Sequence, residues 1–399
     1  MDAGEPGRGD HARRAAIVMA VALAAILVAA VIYLRPPASP VKRILVGGVQ
    51  SPTPQWLPGQ VMATYDFVSP KLGWSLVTEY QVTTQARFWV FSTTDAARSW
   101  RQQFSGTCGS FGAVPSLQFF DRKNGFFSDC APMQVFRTVD GGAHWASISL
   151  PAYSPSLLVT FGDPADGWLA TFSTETALVT NFLSTTDGGR TWIPLPVPPV
   201  PSATSKGGQD NLEFRSRLEG WMGVAGPDTP TVASTNDGGL SWQPHVLPTT
   251  EFQKLSSAEV VLLPGSGVMA TTFDHFGNPV AFTSVDGGAT WQKLASPPGG
   301  TDYTDFRFAD ATHWWAMHSG ILYKSADAGL TWNQAFIALD SYDYQLQVID
   351  QNHAWAQLTS VLPGPPGPGN VAVVDSGLAM TSDGGVSWTY VHTPQPRLS

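Results

Sequence analysis

Ser284-Val285-Asp286-Gly287-Gly288-Ala289-Thr290-Trp291 is one of seven copies of a single phrase. The others occupy 93–100, 138–145, 185–192, 235–242, 325–332 and 381–388. Each reads Ser or Thr, any residue, Asp, a small pair, two more residues, then Trp. The aspartates are Asp95, Asp140, Asp187, Asp237, Asp286, Asp327 and Asp383. The tryptophans are Trp100, Trp145, Trp192, Trp242, Trp291, Trp332 and Trp388. A recurrence of roughly 40–50 residues along a whole chain marks stacked supersecondary units, each covering its neighbour.

A second pattern interleaves with the first. Each unit carries an alternating apolar strand, often a turn Asp, and then a small residue followed by an aromatic. Gly73-Trp74, Gly125-Phe126, Gly167-Trp168, Gly220-Trp221, Trp314-Trp315 and Ala354-Trp355 are its copies, with Gly267-Val268 as the degenerate fifth. Strand, turn, strand, strand, Asp phrase, strand gives four antiparallel strands per repeat. Sheets apolar on both faces need covering, and seven around an axis close on themselves with few exposed edges. The expected fold is therefore all-β, a seven-bladed β-propeller with blades near 61–104, 114–150, 157–200, 211–247, 258–295, 305–338 and 345–391. The Pro-rich stretch 193–211 and the insert 361–370 read as loops.

Within the phrase, the Asp carboxylate suits an Asx-type turn, joined by the Ser or Thr hydroxyl two residues earlier. Gly at the second position after Asp permits positive φ, with Ala97 the one departure. The Trp is expected to wedge between neighbouring sheets.

The 399 residues include 39 Gly, 32 Pro and 15 Trp, with only 13% charged. That balance suits short strands and turns. A net charge of −9 argues against nucleic-acid binding. Residues 15–34 are apolar throughout and long enough, at about 30 Å as a helix, to cross a bilayer. Arg8, Arg13 and Arg14 before it balance Arg35, Lys42 and Arg43 after it, so charge does not set orientation. The following Arg35-Pro36-Pro37 is a poor cleavage site, which favours an uncleaved signal anchor over a secretory leader. The expected layout is a cytoplasmic tail (1–14), one transmembrane helix (15–34), a Pro-rich stalk (35–58) and a propeller (59–399) on the extracytoplasmic side. Cys108 and Cys130, the only cysteines, are candidates for a disulfide there, the alternative being two separate buried thiols.

The phrase resembles the Asp-box, or bacterial neuraminidase repeat. Together with the strand–turn–Gly-Trp pattern it resembles the photosystem II assembly/stability factor-like group of seven-bladed propellers, over about residues 60–391. That resemblance implies assembly or stability work on membrane complexes, though nothing in the chain points to photosystems. Sialidases share the Asp-box but add an arginine triad, a Tyr–Glu pair and an Arg-Ile-Pro motif. Here Lys42-Arg43-Ile44-Leu45 lacks the Pro, and no spacing brings three arginines together.

Any site belongs on the face away from the Asp phrases, where loops hold Glu79, Asp274, His275, Tyr303, Asp305, Tyr342 and Asp343. Asp274, His275, Tyr303, Asp305, Tyr342 and Asp343 are the candidate binding residues. Along the inner strands, Asp66, Gln118, Thr160, Glu213, Val261, Arg307 and Gln347 form a row expected to line the axis, with Arg307 placed to pair with Asp66 or Glu213. No cofactor, metal site or catalytic residue is assigned; His313, His318 and His353 read as isolated. The expected function is non-catalytic binding of a protein or glycan partner, with a sialidase-like glycoside hydrolase as the alternative. Oligomeric state is left open.

Overall fold

A computed structural model describes residues 61–79, 85–109, 111–130, 134–151, 157–172, 179–198, 212–224, 230–248, 258–273, 279–294, 305–318, 321–337, 343–362 and 373–396. The expected tail, membrane helix and stalk lie outside the described residues. Among those described, no helix is long and apolar enough to cross a membrane.

The described residues form seven four-stranded antiparallel sheets, each built from consecutive strands. Blade 1 holds β1 (Val61–Phe67), β2 (Gly73–Glu79), β3 (Ala86–Thr93) and β4 (Arg101–Cys108). Blade 2 holds β5 (Phe111–Phe119), β6 (Gly125–Cys130), β7 (Gln134–Thr138) and β8 (Ala146–Ile148). Blade 3 holds β9 (Leu157–Phe161), β10 (Gly167–Phe172), β11 (Val179–Thr185) and β12 (Ile193–Leu195). Blade 4 holds β13 (Leu212–Phe214), β14 (Gly220–Val224), β15 (Thr231–Thr235) and β16 (Gln243–Val246). Blade 5 holds β17 (Glu259–Leu262), β18 (Val268–Phe273), β19 (Pro279–Ser284) and β20 (Gln292–Lys293). Blade 6 holds β21 (Asp305–Phe308), β22 (Trp314–His318), β23 (Ile321–Ser325) and β24 (Asn333–Ile337). Blade 7 holds β25 (Asp343–Val348), β26 (Ala354–Leu362), β27 (Val373–Thr381) and β28 (Thr389–Tyr390). The chain is a seven-bladed β-propeller.

Three boundaries differ from the sequence reading. Ile193–Leu195 is a strand, because an outer strand tolerates Pro194 on its unpaired side. Val361 and Leu362 extend β26, pairing with Val374 and Val373. In blade 1 the outer strand runs on to Cys108, opposite Ala86. Cys108 therefore closes blade 1, and Cys130 ends β6 opposite Phe111; their side chains lie outside the described residues.

The small–aromatic pair sets the packing between blades. Phe119 ends β5 opposite Gly125. A Cβ on Gly125 would sit 2.6 Å from the Phe119 ring, so only glycine lets that ring lie flat on its own blade. The ring's other face stacks on Trp74 of blade 1, with centroids 3.6 Å apart and planes 3° from parallel. The same contact recurs as Phe126 on Phe161 at 3.9 Å, Trp168 on Phe214 at 3.4 Å and Trp355 on Phe67 at 3.7 Å. Each such pair contributes about 0.5–1.5 kcal/mol beyond area burial. The phrase Trp fills the rest of the seam. Trp145, for example, packs at once against Phe104 of blade 1 and Phe119 and Phe127 of blade 2.

The last stack closes the ring, since among the described residues blades 1 and 7 exchange no strand. Trp100 Nε1 donates to the His392 carbonyl at 2.7 Å across the same seam, and Gln357 Nε2 donates to the Ala63 carbonyl at 2.6 Å.

Candidate functional site

Strand polarity sorts the loops onto two faces. The turn between the first two strands of a blade meets that blade's Asp phrase: Gly141 N–H donates to the Lys123 carbonyl at 2.8 Å and Gly238 N–H to the Leu218 carbonyl at 2.9 Å. The starts of the inner strands and the links between second and third strands fall at the opposite end.

On the first face the Asp phrases are held internally. Thr235 Oγ1 donates to Asp237 at 2.8 Å and accepts the Gly239 N–H at 2.9 Å. Asp237 also accepts the Ser241 N–H at 2.9 Å and its hydroxyl at 2.6 Å. Such donors stabilise the carboxylate: Asp187 is lowered to about 2, first by the Thr191 N–H, and Asp286 to about 2, first by the Thr290 hydroxyl. Both residues after the Asp take positive φ, including Ala96 at 61° and Ala97 at 57°. The neighbouring turns show an arrangement that the sequence reading missed. His313 Nδ1 meets Asp310 at 2.9 Å and His353 Nδ1 meets Asp350 at 2.9 Å. Their Asp-x-x-His spacing was the available signal.

Along the axis, Asp66, Glu213, Arg307 and Gln347 each reach from their own blade into the next. Asp66 accepts the Phe119 N–H, Glu213 accepts the Leu262 N–H at 2.9 Å and Gln347 Oε1 accepts the Phe67 N–H at 2.8 Å. Each partner ends the inner strand of the following blade, whose edge N–H needs an acceptor. Arg307, which offers only donors, turns to carbonyls: Nε to Leu346 at 2.7 Å and Nη1 to Phe306 at 2.8 Å. Asp66 has a second anchor, Gln347 Nε2 at 2.6 Å, so it ties blades 7, 1 and 2. Burial pushes its carboxyl up to about 6, against the hydrogen bonds from Phe119, Gln347 and Phe67 that hold it lower.

On the loop face, Asp305 and Asp343 open β21 and β25, but their side chains lie outside the described residues. Asp274, His275, Tyr303 and Tyr342 also lie outside them, in the links after β18 and before β21 and β25. Glu79 is spent locally: it accepts Arg87 Nε at 2.8 Å and the Arg87 N–H at 2.8 Å. Among the described residues no group of three or more His, Cys, Asp or Glu is placed to hold a metal ion.

No family model matches this chain, and no curated protein does. Among solved structures, YCF48 bound to D1 peptide matches 85% of this chain and 99% of its own, at 18% identity and a TM-score of 0.52. The fold is that of YCF48. YCF48 from Cyanidioschyzon merolae matches 82% of this chain and 97% of its own, at 18% identity and a TM-score of 0.47. The GH74 enzyme of Niastella koreensis matches 79% and 69% respectively, at 13% identity and a TM-score of 0.25. At 18% identity the likeness to the peptide-bound YCF48 structure is one of fold alone.

Proposed function

We propose that this chain is a membrane-anchored, extracytoplasmic binding protein that grips a protein partner through the loop face. The observation that carries the reading is the division of the two faces. One face is closed by Asp phrases bonded to their own turns, while the other gathers connections that no repeat constrains, the kind of surface rigid scaffolds use for recognition. The YCF48 propeller, seen with a bound peptide, supports a protein partner. The apolar run 15–34 supports the anchor.

Site-specific photocrosslinking in native membranes tests this. A crosslinker at position 274 or 303 should capture one protein reproducibly, and one at Val285, on the Asp-phrase face, should not. Equal capture from both faces would remove the assignment. Hydrolysis of a glycoside that is lost on replacing Asp274 or Asp305 would favour an enzyme.

A further inference from the structure

The seven outer strands make the rim of the ring, and their pairing aligns them residue for residue. Opposite the residue that precedes each Asp phrase stand Arg101, Ala146, Ile193, Gln243, Gln292, Asn333 and Thr389. All seven are exposed. Ile193 is the one large aliphatic among them, and 57% of its surface meets solvent.

Ile193 does not stand alone. Side chains alternate along a strand, so Ile193 shares the side of Leu195. That side faces blade 4: Leu195 packs with Phe214 and Trp242, and a Cβ on Gly239 would sit 3.3 Å from it. On blade 4, His245 lies against Gly288 of blade 5, so its neighbours Pro244 and Val246 face back toward blade 3. The outer seam between blades 3 and 4 is therefore a groove, with Ile193 and Leu195 on one wall and Pro244 and Val246 on the other. Leu240 stands at its Asp-phrase end. Leu240 and Val246 are 57% and 60% exposed. Single exposed aliphatics are ordinary, but a cluster of them marks an interaction surface.

The surroundings choose the occupant. Pro194 and Pro244 each remove an N–H from the rim edge of their strand, so neither wall can template an added strand and contact must come through side chains. The chain carries a net charge of −9, so two copies repel over much of their surface. They approach best where the walls hold no ionisable side chain, as here. A groove edged by its own aliphatic ridge is also self-complementary under a two-fold axis, with Ile193 of each copy entering the seam of the other. A contact of this extent suits the small end of specific interfaces, about 1,000–1,200 Å² in total, where weak dimers lie.

We infer that the rim groove between blades 3 and 4 is where two copies of this chain associate, as an isologous dimer. It lies on neither face of the ring, so it and the loop-face reading stand without each other.

Sedimentation of the full chain in detergent micelles at rising protein concentration, together with photocrosslinking from position 246, tests it. A concentration-dependent dimer is expected, with a crosslinked product made of this chain alone. A crosslinker at Val285, on blade 5, should give no such product. Ile193→Gln installs the residue type that blades 4 and 5 carry at the matching positions, Gln243 and Gln292. Pro244→Lys likewise matches Lys293 of blade 5. Both should therefore keep the thermal midpoint, and each should weaken dimerisation about tenfold or more, because a two-fold contact loses the burial twice. The inference fails if only monomer sediments, or if both variants dimerise as the unaltered chain does, which would put the contact in the apolar run 15–34 or elsewhere. It also fails if the crosslinker at position 246 captures lipid or another protein in place of this chain.

Discussion

Asp66 and Gln347 meet at 2.6 Å across the seam where the first blade joins the last. Neither can be inverted. Gln347 Oε1 already accepts the Phe67 N–H, so its amide nitrogen must face Asp66, and Asp66 must present oxygen to both Gln347 and Phe119. Gln347→Ala removes the amide acceptor of the Phe67 N–H and one donor to Asp66. It should destabilise the propeller by about 1–3 kcal/mol, read as a lower urea midpoint.

The same carboxyl makes stability depend on pH. Its folded value of about 6 lies above the ordinary 3.8, so the folded state binds the proton more tightly than the unfolded chain. The contribution is complete below about pH 3.8 and lost as pH rises through 6, about 3 kcal/mol in all. From pH 7 to 4.5 the unaltered protein should gain stability relative to Asp66→Asn in parallel urea titrations. Below about pH 4 the relative gain is complete, while the Asp phrases, whose carboxyls are held low by their donors, lower the stability of both proteins alike.

Thr235 is buried, and its hydroxyl links Asp237 to the Gly239 N–H. Thr235→Val keeps the shape and strands the N–H, at an expected cost of about 1–3 kcal/mol by urea denaturation. Ser241→Ala touches the exposed end of the same turn and should change stability by under about 0.5 kcal/mol.

Gly73 lies against the Phe67 ring, whose other face stacks on Trp355. Gly73→Ala would force that ring out of the closing stack. Overpacking of this kind typically costs about 1–3 kcal/mol, and near-ultraviolet circular dichroism should show the altered Trp355 environment.

Ala96 holds φ of 61°, a conformation that costs an L-residue about 1–2 kcal/mol. Ala96→Gly should raise the thermal midpoint. Ala97, at 57°, is fully buried beside Trp355 and Leu378, so Ala97→Gly loses about 0.8 kcal/mol of methyl burial and gains less.

The blade count was legible because the Asp phrase states a local turn, and turn chemistry is written in adjacent residues. The Gly125-Phe126 pair was visible for the same reason, although its use of two different rings, one per blade, required the packing. Ile193–Leu195 was misread because Pro194 argues against a ladder only when both edges are used. The reach of Asp66 to Phe119 and Gln347 was hidden, since it depends on which strand edges lie open at the axis. The candidate residues Asp274, His275, Tyr303 and Tyr342 sit where no repeat constrains the chain, so spacing carries no information about their arrangement.

Among the described residues, each blade is folded from consecutive strands, and the ring is shut by side-chain contacts. A propeller sealed by a strand shared between its first and last blades cannot gain or lose a unit without leaving a half-finished sheet. Here a duplicated or deleted segment of one repeat would enter or leave as a whole wedge, with its stacking ring and its Asp phrase already in place. The number seven is thus a matter of how the wedges fit, open to change by single genetic events.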